Sequence, residues 1–422
     1  MGGRCIGCVR HRGFGSGRRG DSQPRGRAAR NPGPRSASVA RGRWPGRARG
    51  RSASQPAAPR GRGTRGGRRA LRPPRAATGR RRAPPGGGAA AAVSRFREEI
   101  AEQVHVAQRL LQLGAAAASS IGERVRAAPQ RGFVIAARGS SDNAALYAKY
   151  LFGVRNQALV ALAAPSLFTH YARPPRLNGL CVIGISQSGE SPDVIAVVEE
   201  ARRQGSLTVA ITNEGASKLA HAAELVMSME AGPELSVPAS KTYTASLLAL
   251  ALISQAINPE PAFAAALASV PDAISRTLER EHDLAPLVLP LMGPRAVVLG
   301  RGFNFSTAEE IALKLSETSY VLARAWSVAD FEHGPIAIVE AGLPVVIVDA
   351  RGRVASDLES VKARLEAKGC HVLHLFDVSG LPEELTPIPL AVLGQLLAHQ
   401  VAVARGIDPD RPRAIQKVTR TW

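Results

Sequence analysis

At 422 residues the chain is long enough for two ordinary domains, and a hydrophobic share of 45% is ample for buried cores. Four cysteines are too few for a disulfide framework in a chain this size, which fits a reducing cytoplasm, and no apolar run reaches the roughly eighteen residues of a membrane span. The net charge of +21 invites a nucleic-acid reading, yet residues 1–92 hold 24 arginines, no lysine and one acid, Asp21, leaving the remainder nearly neutral.

Residues 1–92 are dominated by Arg, Gly, Pro, Ser and Ala without hydrophobic periodicity. Such a segment cannot bury enough surface to offset its ordering entropy, so a disordered basic tail is expected. A nucleic-acid arm is disfavoured, because only Phe14 and Trp44 interrupt the arginines and no lysine joins them. A mitochondrial leader shares the bias, but Pro and Gly recur too often for its amphipathic helix, and no apolar segment marks a secretory signal. The absence of lysine suits a non-functional extension translated from GC-rich sequence. Cys5 and Cys8 have CxxC spacing but lack the second pair a zinc site requires. Cys181 and Cys370 adjoin apolar runs and read as core residues.

From Val93, apolar residues from Phe96 to Leu113 recur at helical spacing, predicting an N-terminal helix over 93–120. Short apolar runs then alternate with helix-sized stretches. The runs are 133–137, 158–162, 180–185, 207–211 and 225–228, and the pattern restarts with 296–300, 344–349 and 371–376. Helices are expected near 306–323, 354–368 and 387–405, and the Ala- and Pro-rich stretch 258–290 also reads as helical. Continuous apolar strands separated by helices imply parallel sheets covered on both faces. The expected architecture is two tandem doubly wound α/β domains, over 121–260 and 291–410, with a helical connector at 261–290. The halves begin alike: FVIAARGSSDNAALYAKYLF and AVVLGRGFNFSTAEEIALKL each give a strand, an Arg-Gly turn, a polar loop and a helix.

In open α/β sheets ligands bind beyond the carboxyl ends of strands, where helix N-termini present free N–H groups to anions. Two loops have that context: Arg138-Gly139-Ser140-Ser141-Asp142-Asn143 and Ser186-Gln187-Ser188-Gly189-Glu190-Ser191. Hydroxyls around a glycine at a helix start make a phosphate cradle, and it is not a P-loop, since no Gly-Lys-Ser/Thr follows. The plainer account is that these serines only cap helices. Two such loops in one domain favour the phosphate.

The stretches GISQSGESPDV, GSSDNAALYAKY, ELSVPASKTYT and EEIALKLSETSY resemble the sugar-isomerase (SIS) family. They are similar to the isomerase half of glucosamine-6-phosphate synthase and to its glutaminase-less relatives, the glucosamine-6-phosphate deaminase and AgaS-like proteins. The resemblance covers about 120–422 and implies flavodoxin-like SIS domains. It assigns Ser186, Gln187, Ser188 and Ser191 to the phosphate-binding loop, and Ser140 and Ser141 to further contacts with the sugar phosphate. Val237 and Ala239 fall where sugar contacts are made, with Ala239 replacing a serine. Glu317 matches the glutamate that moves a proton between C1 and C2, and Lys314 lines the same site. His333 matches the ring-opening histidine supplied by a neighbouring subunit, which implies a homodimer. Lys417 matches the lysine of the C-terminal active-site loop, 411–422. No metal or cofactor is implied.

These roles have physical sense. Interconverting an aldose and a ketose needs a base, and Glu317 stands three residues from Lys314 on one helical face. The lysine opposes charge building on an enediolate. A histidine can protonate a ring oxygen, and a lysine in a dry site can form an imine with a ketose. The plainer alternatives are a surface ion pair, a turn residue and a solvated tail. Glu309, Glu310 and Glu332 read as solvated acids, and Tyr147 and Tyr243 as core-edge residues. The expected function is isomerisation or deamination of glucosamine 6-phosphate or a close analogue in the cytoplasm, without a glutaminase unit. A deglycase of sugar-phosphate–amine adducts and a non-catalytic sugar-phosphate sensor are the alternatives.

Overall fold

A computed structural model describes residues 94–128 and 130–417. The arginine-rich segment 1–92, with Cys5 and Cys8, lies outside the described residues, as do positions 418–422 of the C-terminal loop.

Where one N-terminal helix was expected there are three: α1 (Arg95–Ala101), α2 (Gln103–Leu113) and α3 (Ala115–Ala127). Chain joints at Glu102 and Gly114 separate them. The first sheet is built from β1 (Phe133–Ala136), β2 (Val160–Leu162), β3 (Cys181–Ile185), β4 (Leu207–Thr212) and β5 (Leu225–Ser228). Between and after them run α4 (Ser140–Asn156), α5 (Ser166–Thr169), α6 (Pro192–Arg203), α7 (Lys218–Ala222) and α8 (Lys241–Ile257). The 258–290 stretch is helical, as its composition suggested, with α9 (Pro261–Ala268), α10 (Val270–Glu279) and α11 (Ala285–Val288).

The second sheet comprises β6 (Arg295–Gly300), β7 (Leu322–Ser327), β8 (Pro344–Asp349) and β9 (His371–Phe376). Its helices are α12 (Phe305–Ser319), α13 (Val328–Glu332), α14 (Ala355–Ala367) and α15 (Pro387–Ala404). Strand β7 escaped the sequence reading for a physical reason. It is an edge strand reading LARAWS, and Leu322 is 78% exposed, so it needs no continuous apolar run.

Both sheets are wholly parallel, in the orders β2-β1-β3-β4-β5 and β7-β6-β8-β9. The first four strands of each match one for one, so the weak repeat in sequence is an architectural one. It extends to side chains. Arg138 after β1 pairs with Asp193 in the first turn of α6, and Arg301 after β6 pairs with Asp357 in the first turn of α14. Each arginine precedes a glycine of nearly the same left-handed φ, +56° at Gly139 and +58° at Gly302.

One face of each sheet packs on a shared helical layer that includes α3, α4, α8, α12 and α15. The outer faces form separate cores, one with α6 and α7, the other with α13 and α14. Helices α8 and α15 are apolar on nearly every side because neighbours surround them. Among the described residues α15 is the helix long and apolar enough to cross a membrane, but 78% of it is buried within the protein.

Packing of α12 against α15 brings the backbone at Gly394 so near Ile311 that a Cβ there would lie 2.3 Å from Ile311 Cγ1. Overpacking a filled core costs about 1–3 kcal/mol. Gly394→Ala is therefore expected to lower the unfolding free energy by about that amount, read from denaturant unfolding.

Candidate active site

The carboxyl ends of β1 and β3, the entry to α8, the middle of α12 and the C-terminal segment converge on one cavity of about 350 Å³. It is lined by Ser140, Ser141, Ser186, Gln187, Ser188, Ser191, Val237, Ala239, Lys314, Glu317 and Lys417. Eleven of the twelve positions singled out from the sequence thus meet in one hollow. His333 does not; it is exposed just beyond α13, outside this lining.

At the cradle end the hydroxyls are not used as helix caps. Ser191 precedes α6 without a capping bond, and its Oγ lies 3.2 Å from Ser186 Oγ. Ser186 Oγ accepts from the Gly189 amide at 3.2 Å, and Ser188 Oγ from the Glu190 amide at 3.3 Å. Toward the amides these hydroxyls only accept, so Ser188 keeps its proton for an incoming acceptor, and the Ser186–Ser191 pair, one of which donates to the other, has one proton to offer. Gly189, at φ +63°, is required here, because a Cβ would fall 2.0 Å from Ser217 Oγ. Arg138, held by Asp193 at 2.6 Å and about half exposed, adds a cation to the lining. The helix-capping account of these serines therefore fails on geometry, and an anion-binding turn fits.

The matching turn of the second domain has no such hydroxyls. A Cβ at Gly352 would lie 2.4 Å from the Glu383 carboxylate, which accepts from the Arg353 amide at 2.9 Å. The chain's own carboxylate lies against that turn.

On α12, Lys314 is 1% exposed and donates to Glu317 Oε2 at 2.5 Å. It also faces Glu310 Oε1 at 3.5 Å. Despite burial, the two carboxylates hold the lysine well above its usual range. One ammonium cannot serve both equally, and the shorter contact goes to Glu317. Burial pushes the Glu310 carboxyl up, beyond what Lys314, Asn143 and Ser140 offset. Glu310 accepts from Ser140 Oγ at 2.9 Å and from Asn143 Nδ2 at 2.8 Å, so α12 of the second domain is tied to the first turn of α4. Reading Glu310 as a solvated acid is thus corrected: a helical position facing another domain is indistinguishable in sequence from one facing water. Tyr147 and Tyr243, expected at the core edge, are likewise fully enclosed.

Glu234 was missed as a site residue, though it opens the ELSVPASKTYT stretch. It is wholly buried and accepts from Lys417 Nζ at 2.6 Å, from the Ser240 and Thr242 amides at 3.0 and 3.1 Å, and from Thr242 Oγ1 at 2.9 Å. Burial alone would raise its carboxyl. The Lys417 ammonium and the two amides outweigh that and hold it below the usual carboxylate range. This pair draws the C-terminal segment over the cavity, where Ile415 and Gln416 also line the wall. The 234–241 loop is fixed from behind by α1 and its C-cap: buried Glu99 accepts from the Ser236 hydroxyl, and Glu102 pairs with Lys241. No pattern or spacing signalled these long-range partners.

Comparison with known proteins follows the same outline. The SIS domain profile matches residues 128–255 and 293–382, one segment per sheet. The chain is 32% identical over 307 residues to the isomerizing glutamine–fructose-6-phosphate aminotransferase of Thermococcus kodakarensis, covering 67% of this chain and 51% of that protein. It spans about half the length of the curated relatives it matches. Among solved structures, a candidate phosphosugar isomerase from Silicibacter pomeroyi DSS-3 superposes with a TM-score of 0.70 at 32% identity, over 75% of this chain and 100% of that one. A glucosamine-6-phosphate deaminase from Thermotoga maritima shares the fold, with a TM-score of 0.65 at 22% identity over 78% of this chain and 100% of that one. With two matched segments covering more than half of its length, the chain belongs to the SIS domain family.

Proposed function

We propose that this protein is an aldose–ketose isomerase or deaminase that links glucosamine 6-phosphate, or a close amino-sugar phosphate, to fructose 6-phosphate. One observation carries the reading: a hydroxyl-lined anion turn and a carboxylate–ammonium pair open on the same cavity. The turn would hold the phosphate through Ser186, Gln187, Ser188 and Ser191. That leaves the other end of an open-chain sugar beside Glu317.

Glu317 is the member of the Glu310–Lys314–Glu317 row that keeps a quarter of its side chain exposed. Its carboxylate takes the proton from C2 of the aldose, the electron pair moves into the C1–C2 bond, and the carbonyl oxygen gains charge. Lys314 opposes that charge in a poorly solvated place. Returning the proton to C1, while the O2 hydroxyl gives its proton up and O1 gains one, completes the ketose. With a 2-amino group the same shift yields a C2 imine, which water hydrolyses to ketose and ammonia. Lys417, while clamped on Glu234, serves as a cation closing the site. Imine formation would first require it to leave that carboxylate.

His333 lies away from this cavity in its own chain. The proposal assigns it to a second copy: the partner subunit's His333 would protonate the ring oxygen, making the working form a homodimer. The buried, unpaired Cys181 and Cys370 suit a cytoplasmic protein.

Glu317→Gln is expected to lower kcat by roughly 10²–10⁴-fold with binding retained, whereas Ser188→Ala should chiefly raise KM. Ammonia release and ketose formation from a panel of hexose and hexosamine 6-phosphates read both, and undiminished turnover by Glu317→Gln would refute the assigned base. Mixing inactive Glu317→Gln and His333→Ala chains should restore about a quarter of wild-type activity through heterodimers with one intact site; no recovery would argue against the shared site. The pH dependence follows from Glu234. Its depressed folded value means that its pairing stabilises the closed segment above the ordinary carboxyl value and is lost as pH falls through the folded one. Proteolysis of the C-terminal segment should therefore accelerate only below about pH 4.5 in the wild type, and already at neutral pH in Glu234→Gln.

A further inference from the structure

Ser140 presents a conflict of use. It lines the cavity beside the cradle, yet its hydroxyl proton is committed to Glu310 Oε1 at 2.9 Å. A hydroxyl has one proton. If Ser140 turns to donate to a phosphate, Glu310 loses a donor while wholly buried, and an under-served buried carboxylate is costly.

A second hydroxyl stands nearby without employment. Tyr243, in the first turn of α8, also lines the cavity and is 2% exposed. Among the described residues its phenol oxygen has no hydrogen-bond partner. Its polar neighbours are the Glu310 carboxylate and the Ser306 hydroxyl, one turn apart on α12, and the Tyr147 phenol, whose proton goes to the Glu384 carbonyl at 2.8 Å. The Ser306 proton already goes to the Phe303 carbonyl at 2.8 Å, and no bond closes between Ser306 and the phenol. Buried polar groups are nearly always satisfied. An orphan donor beside a carboxylate that must periodically surrender another donor suggests that the two facts belong together.

We propose that Tyr243 is the reserve donor to Glu310: when an anion in the cradle draws the Ser140 proton away, the Tyr243 hydroxyl takes its place at the carboxylate. Glu310 then stays fixed, Lys314 keeps its two carboxylates, and Glu317 keeps its aim while the substrate is bound. Tyr243 is in this sense a positioning residue, acting through Glu310 and Lys314. The exchange rests on the reading that Ser140 contacts the substrate's phosphate. No bond is made or broken beyond hydrogen bonds.

A double-mutant cycle on the full chain tests it, using thermal unfolding together with titration by fructose 6-phosphate. Tyr243→Phe alone should leave the melting temperature unchanged, since the lost hydroxyl had no partner. Ser140→Ala should be mild, because Tyr243 takes over. Ser140→Ala combined with Tyr243→Phe should melt well below the sum of the single changes. Tyr243→Phe should also weaken fructose 6-phosphate on the order of tenfold, the effect of one lost hydrogen bond at a charged group. Additive melting shifts, or unchanged sugar-phosphate affinity in Tyr243→Phe, would overturn the exchange. A wild-type chain that does not bind fructose 6-phosphate removes the function proposed above, and the melting cycle alone then decides whether the two donors substitute for each other.

Discussion

The row Glu310–Lys314–Glu317 on α12 is the constraint on which the site depends. A lysine excluded from water persists as a cation only beside anions, and two carboxylates at i−4 and i+3 supply them. Those carboxylates are then unequal. Glu317 has the short contact and the opening to the cavity, while Glu310 is sunk against Ser140 and Asn143 of the other domain. Charge balance on one helix therefore fixes three things together: where the ammonium lies, which carboxylate faces the cavity, and how the two domains meet. Breaking such a row strands a buried charge, which is far more costly than losing a surface pair.

The two halves of the molecule show how a repeated framework acquires one site. Strand order, the Arg-Gly turn and the pairing of that arginine with the following helix are common to both. Even the helices after the first strand of each half end alike, with left-handed Gln157 at φ 51° and Tyr320 at φ 54°. The halves part at the second turn. In the first it carries hydroxyls around Gly189; in the second the Glu383 carboxylate lies against Gly352 and accepts from the Arg353 amide. The second half instead contributes α12, whose charged row reaches across to the first half's cradle. The hydroxyl-lined turn and the charged row that face this cavity thus come from different copies of one architecture.

Closure of the cavity is electrostatic. Glu234, buried under amide and hydroxyl donors, is held as an anion, and Lys417 is drawn to it from the end of the described chain. The loop bearing Glu234, Val237 and Ala239 is itself anchored by Glu99 and Glu102 at the N-terminal helices. Segments near both ends of the described chain therefore brace one wall, Lys417 on it and Glu99 and Glu102 behind it.

The parallel α/β class and the bounds of β5, β8 and β9 were legible in the amino acids, because they follow from local periodicity, and turn chemistry marked the two serine-rich turns that line the cavity. The sequence also placed Lys314 and Glu317 on one helical face, since three residues is almost one turn. Long-range packing settled that Glu310 faces a neighbouring domain instead of water, that Glu234 meets Lys417, that Tyr243 is enclosed without a partner among the described residues, and that His333 stands outside the cavity lining of its own chain. Edge strand β7 belongs to the same group, as an exposed strand carries no apolar run. Each of these depends on contacts between segments distant in the chain, and periodicity, which reports only which face of an element is apolar, contains no information about what that face will meet.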